Sequence, residues 1–253
     1  MLHAIKVGQG TPLVILHGFL GMSDNWKSVA NQLENFYEVH TLDLRNHGKS
    51  FHSDEFTYDL MVSDVKKYIE FHHLKSVVLL GHSMGGKVAM QLACEYPDLI
   101  EKLIIADIGT KFYPPHHLQI LEGLQAVDFS VQTSRADVEE TLSRFIPEIG
   151  VRQFLMKNLY WATQNQLAYR FNLNSLVKNV NEVGKKLNDN LFYHKPILFL
   201  RGEKSNYIKD EDWGEIQSHF SQAKLVTISQ AGHWLHAEQP KLFNEQVLIF
   251  LNN

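Results

Sequence analysis

The chain has 253 residues, 44% of them apolar, and 24 Lys and Arg against 28 Asp and Glu give a formal net charge of -4. That length suits one large α/β domain with a full core, and the scattered basic residues form no stripe that would hold nucleic acid. The one cysteine, Cys94, excludes an intrachain disulfide framework and suits a reducing compartment. No apolar run approaches the ~20 residues of a membrane span. Met1-Leu2-His3-Ala4-Ile5-Lys6 lacks the charged and apolar segments of a secretory signal, so a cytoplasmic location is expected.

Short apolar runs predict strands at 13–16, 39–42, 77–80 and 103–106, with helices at 26–33, 58–72 and 84–96 between them. Continuously apolar strands alternating with helices predict a mostly parallel sheet covered on both faces. The rhythm breaks after Asp107. From 111 to 190 apolar residues recur at three- and four-residue spacing, as in Ile120, Leu121 and Leu124 and in Phe154, Leu155 and Leu159. No strand-like run is expected there until Ile197. Strands at 197–200 and 225–228 and a helix at 241–251 complete the pattern, with Pro97 and Pro240 at helix boundaries. The expected organisation is an α/β core of 1–110 and 191–253, with a helical lid of 111–190 over the carboxyl ends of the strands.

The pentapeptide Gly81-His82-Ser83-Met84-Gly85 lies between the strand at 77–80 and the helix that follows. A serine between two flanking glycines at a strand-to-helix turn is the pattern of a nucleophile elbow. The glycines leave room for a strained turn that lifts the hydroxyl clear of the sheet. A serine needs a base, and the base needs an orienting group. Among 14 histidines, His233 has the right place, in Ala231-Gly232-His233-Trp234 between the last strand and the last helix. His236 is its nearby competitor and is expected to cap or pack. The acid is open between Asp107, at the end of the strand at 103–106, and Glu203 or Asp210 beyond the strand at 197–200. Ser205 and Asn206 stand where an aspartate would be expected.

His17-Gly18-Phe19-Leu20-Gly21 follows the strand at 13–16, and its glycines let the Phe19 amide turn toward the site. With the Met84 amide it would form an oxyanion hole. His17 is expected to shape that loop, and His82 to point away from Ser83. His72, His73, His116 and His117 lack partners at metal-ligand spacing, so no metal site is expected. Cys94 is expected to pack in its helix rather than react. Tyr160 and Trp161 are expected to line the acyl pocket.

These motifs resemble the α/β-hydrolase superfamily across essentially the whole chain. Arg45-Asn46-His47-Gly48, Gly81-His82-Ser83-Met84-Gly85-Gly86-Lys87, Asp107-Ile108 and Gly232-His233-Trp234-Leu235-His236-Ala237-Glu238 resemble the YbfF-type esterases in particular. The chain departs from that group at Phe51, where proline is frequent. The resemblance implies a serine at the position of Ser205 and a triad acid at Asp107. It also implies cofactor-free hydrolysis of short-chain carboxyl esters and acyl-CoA thioesters. The expected partner is therefore a small acyl ester or thioester, with neither nucleic acid nor membrane, in a monomer or homodimer. Two rivals stay open: a carbon–carbon bond hydrolase or lyase with the same triad, and a ligand receptor on the same fold.

Overall fold

Continuous apolar runs become strands buried on both faces. The computed structural model describes residues 1–115 and 117–253, so His116 lies outside the described residues. The first part of the chain contains β1 (Ala4–Val7), β2 (Thr11–Leu16), α1 (Lys27–Leu33), β3 (Tyr37–Leu42), α2 (Tyr58–Phe71), β4 (Val77–His82), α3 (Met84–Glu95) and β5 (Ile100–Ala106). An inserted segment holds α4 (Leu118–Gln125), α5 (Arg135–Ser143), α6 (Ile149–Met156), β6 (Leu159–Thr163), β7 (Gln166–Tyr169), α7 (Leu173–Lys178) and α8 (Val180–Val183). The chain then returns through β8 (Ile197–Gly202), α9 (Trp213–His219), β9 (Ala223–Ile228), α10 (Leu235–Glu238) and α11 (Pro240–Asn252).

The main sheet has seven strands in the order β1-β3-β2-β4-β5-β8-β9. Only the pairing of β1 with β3 is antiparallel. The edge strand β1 was not among the expected strands, because its half-buried Ala-Ile-Lys-Val run is short and interrupted by a charge. Side chains alternate between the two faces of each strand. Leu13, Ile15, Val78 and Leu80 pack with Trp26 and Val29 and with Phe243 and Val247 of α11. Val14, Leu16, Leu79 and Leu103 pack on the other face with Met61 and Val65 of α2 and with Val88 and Leu92 of α3. Each such fully buried aliphatic side chain contributes about 2 kcal/mol. Helix ends follow local chemistry. The Thr57 hydroxyl accepts from the Leu60 amide at 3.3 Å to open α2, and Pro240 opens α11 without losing a hydrogen bond.

The inserted segment corrects one expectation. It is not wholly helical, because β6 and β7 form an antiparallel hairpin with Leu159 opposite Tyr169. Tyr160, Trp161 and Thr163 favour a strand, and the Leu155 and Leu159 spacing that mimics a helix spans the break between α6 and β6. The insertion is tied to the loops at the carboxyl ends of the strands. Buried Asn158 donates to the Leu20 carbonyl at 3.0 Å, Asn46 donates to the Ser175 hydroxyl at 3.1 Å, and the Tyr58 hydroxyl donates to the Val183 carbonyl at 2.6 Å. Among the described residues no helix is long and apolar enough to cross a membrane.

Candidate active site

Ser83 sits between β4 and α3 with φ of 52° and ψ of -120°, a backbone state that costs an L-residue energy. The flanking glycines allow the turn to close. A Cβ on Gly81 would lie 2.3 Å from the Gly85 carbonyl oxygen, and one on Gly85 would lie 2.5 Å from the carbonyl oxygens of Leu16 and His17. The Ser83 amide donates to the Ala106 carbonyl at 3.0 Å, so β4 stays paired with β5 up to the turn. The Asp107 amide likewise donates to the Leu200 carbonyl at 2.7 Å, which holds Asp107 one strand over.

Ser83, His233 and Asp107 form one hydrogen-bonded chain. The Ser83 hydroxyl donates to His233 Nε2 at 3.1 Å, and His233 Nδ1 donates to Asp107 Oδ2 at 2.7 Å. Asp107 is fully buried and its φ is 52°. Its other oxygen accepts from the Gly202 amide at 2.9 Å, and the Ser205 hydroxyl donates to Oδ2. Burial pushes the Asp107 carboxyl up to about 7, against the pull of Ser205, Gly202 and the Arg201 charge. Glu203 and Asp210 lie elsewhere. Glu203 accepts from the Gln230 amide at 2.7 Å, while Asp210 faces solvent and pairs with Arg201 at 2.6 Å.

Other groups hold His233 that the sequence did not single out. The Tyr207 ring stacks on it at 3.9 Å. The Glu238 carboxylate accepts from the Gly232 and Trp234 amides at 2.7 and 3.1 Å, bracketing it. His82 Nε2 donates to the His233 carbonyl at 2.8 Å. Glu238 stands five residues after His233 within the motif that carries the family resemblance; the stacking of Tyr207 has no sequence signal, since the two residues meet only through the fold.

The loop after β2 reaches the nucleophile. A Cβ on Gly18 would lie 3.2 Å from Ser83 Cβ, which puts the Gly18 backbone beside the serine, and Phe19 lines the same cavity as Ser83. Met84 opens α3, where amides have no intrahelical acceptor. Two histidines hold this loop in fixed tautomers. His17 Nδ1 donates to the Gly18 carbonyl at 2.8 Å while its Nε2 accepts from the Leu44 amide at 3.0 Å. His47 Nδ1 donates to the Arg45 carbonyl at 2.9 Å while its Nε2 accepts from the Leu20 amide at 3.1 Å. Burial lowers both, His47 to about 3, so both stay neutral.

A cavity of about 440 Å³ opens beside Ser83, walled by Phe19, Ile120, Val151, Phe154 and Trp234. Tyr160 and Trp161 are not among its lining residues, contrary to expectation. They sit on β6, with Trp161 52% exposed and the Tyr160 ring 4.8 Å from the Arg170 guanidinium. His236 does not reach Ser83 either; it is buried and stacked on Trp26 at 4.1 Å. Cys94 is half-buried in α3, and burial pushes its thiol up to about 12. Among the described residues no group of three His, Cys, Asp or Glu is arranged to hold a metal ion.

A mostly parallel sheet with a serine, a histidine and a carboxylate gathered at its carboxyl edge has the layout of an α/β hydrolase. The family model described as alpha/beta hydrolase fold matches residues 11–136. An sn-1-specific diacylglycerol lipase of Danio rerio is 38% identical, over 96% of this chain and 79% of that protein. Esterase YbfF of Escherichia coli (strain K12) is 30% identical, over 96% of this chain and 94% of that protein. The solved structure of a marine microorganism esterase superposes with a TM-score of 0.96 at 40% identity, covering 98% of both chains. The chain belongs to the α/β-hydrolase family, among its esterase/lipase-type hydrolases.

Proposed function

We propose that the protein is a serine carboxylesterase that hydrolyses short-chain acyl esters, and acyl thioesters, through an acyl-enzyme on Ser83. The observation that carries this reading is the continuous hydrogen-bonded chain from the Ser83 hydroxyl through His233 to Asp107. His233 Nε2 takes the Ser83 proton as Oγ attacks the acyl carbon. The Phe19 and Met84 amides hold the oxyanion, each worth about 3 kcal/mol in the transition state. His233 then returns the proton to the departing alcohol or thiol, and water repeats the sequence on the acyl-enzyme. Asp107 orients His233, and its buried charge is best compensated when the imidazole is protonated. The segment 111–190 acts as the lid of this site, and the cysteine usage fits a cytoplasmic enzyme acting on a small-molecule ester.

The test is steady-state hydrolysis of p-nitrophenyl acetate by the wild type and by Ser83→Ala. The expected loss in the variant is about 10⁴-fold or more. No turnover by the wild type on esters of any chain length would transfer the assignment to carbon–carbon bond cleavage or to a ligand receptor on the same fold.

A further inference from the structure

Ser83 borders two cavities of very different size. The larger, of about 440 Å³, is lined by Gly18, Phe19, His233 and Trp234 next to the serine. The smaller lies among Met84, Ile108, Tyr113, Val180 and Val183 and measures about 10 Å³. That is the room of about one water-sized group.

Hydrogen bonds hold the Tyr113 wall of the smaller cavity. The Tyr113 hydroxyl accepts from the Gly109 amide at 2.8 Å and donates to the Tyr207 carbonyl at 2.6 Å. The Tyr113 amide donates to the Gly184 carbonyl at 2.8 Å, and a Cβ on Gly184 would lie 1.9 Å from the Tyr113 carbonyl oxygen. With Met84, Ile108 and Val180 all buried, the cavity has little freedom to expand.

The tetrahedral centre formed on Ser83 has four fixed directions. One is the bond to Oγ. The oxyanion points to the Phe19 and Met84 amides. The leaving atom must lie against His233 Nε2 to receive its proton. His233 lines the larger cavity and is not among the residues lining the smaller. The fourth direction, the acyl substituent, is left with the smaller one.

We infer that the small cavity is the acyl subsite and the large cavity the leaving-group subsite, so that the substrates are acetyl- and propionyl-class esters of bulky alcohols or thiols. This assignment rests on the serine acyl-enzyme reading. In it, the bond between acyl carbon and leaving oxygen or sulfur breaks, and the bulky product leaves first through the wide cavity. The short acyl group stays on Ser83 until water releases it as a carboxylate.

Two substrate series test the assignment: p-nitrophenyl esters from acetate to octanoate, and acetate esters of alcohols from ethanol to naphthylethanol. In the acyl series kcat/KM should fall about tenfold for each methylene beyond propionate. In the alcohol series it should hold or rise with size. Val183→Ala should raise the butyrate-to-acetate ratio about tenfold without changing the ratios in the alcohol series. Phe154→Ala, in the wall of the large cavity, should change the alcohol ratios and not the acyl ratios. Octanoate turned over as fast as acetate, or an acyl optimum that moves with Phe154→Ala and not with Val183→Ala, would overturn the assignment. Turnover that survives Ser83→Ala would instead overturn the acyl-enzyme reading beneath it.

Discussion

At the residue scale the site depends on groups whose surroundings leave them no alternative. Asp107 is fully buried, with its oxygens engaged by His233, Gly202 and Ser205. Replacing it with Asn keeps the shape but offers the imidazole a donor where an acceptor is needed. Asp107→Asn should therefore lose about 10²- to 10⁴-fold in kcat, while Asp210→Asn and Glu203→Gln keep most of it. A steady-state ester assay showing the reverse order would remove Asp107 from the mechanism. Gly85 is held as strictly by sterics. A Cβ there would meet the Leu16 and His17 carbonyl oxygens at 2.5 Å, and these belong to backbone that cannot swing aside. Gly85→Ala should cost about 3 kcal/mol or more in urea denaturation; a wild-type midpoint would refute the steric account of the elbow.

At the scale of elements, the insertion shares a hydrophobic cluster with the core and is tied to it by hydrogen bonds of defined direction. The buried Asn158, between α6 and β6, donates to the Leu20 carbonyl in the loop that also carries Phe19. The Leu20 amide is in turn held by His47. Asn158→Ala should cost about 1 kcal/mol of stability. Under the proposed mechanism it should lower kcat more than it raises KM, because the Phe19 amide would act on the transition state rather than on the bound ester. An unchanged kcat would show that the insertion does not set the geometry of this loop. Lys87 makes a similar tie elsewhere: its buried ammonium donates to the Thr110 and Lys111 carbonyls at 2.8 and 2.6 Å, where the chain leaves β5 for the insertion. The β6–β7 hairpin was hidden from sequence patterning because Leu155 and Leu159 share helical spacing across an element boundary, whereas the elbow was visible because its constraint is local.

At the scale of the molecule, buried histidines make the fold sensitive to acid. Burial lowers His47 and His82 to about 3, and lowers His17 and His236 as well. In the unfolded chain the same groups titrate near 6.5. Below that pH the unfolded chain binds protons that the folded one refuses, so stability falls as pH drops from about 6.5 toward 3. Each such group removes roughly 1 kcal/mol per pH unit. Asp107 acts with the opposite sign, because a raised carboxyl pKa costs stability as pH rises from about 4 to 7, but it is one group against these four histidines and His40, which burial also lowers. Urea unfolding followed from pH 7 to pH 5 should show a net loss. Constant stability over that interval would mean that the buried imidazoles accept protons in the folded state.

The sequence by itself determined the alternation of apolar strands and helices, the strained turn at Ser83 and the location of His233, because each is written in neighbouring residues. Apolar runs, glycines and punctuation act over a few positions, and their consequences can be read where they stand. Residue patterns left the carboxylate open and the family resemblance favoured Asp107, while the tertiary structure alone decided which aromatics wall the cavity and how His47, Tyr207 and Glu238 brace the site. Asp107 and His233 are 126 residues apart in the chain, and their contact depends on the order in which β4, β5 and β8 pair. Tyr160 and Trp161 carry the composition of a binding pocket, but neither lines the cavity beside Ser83, and Trp161 is exposed. A side chain's type is local information, whereas the direction in which it points is set by the packing of the whole fold.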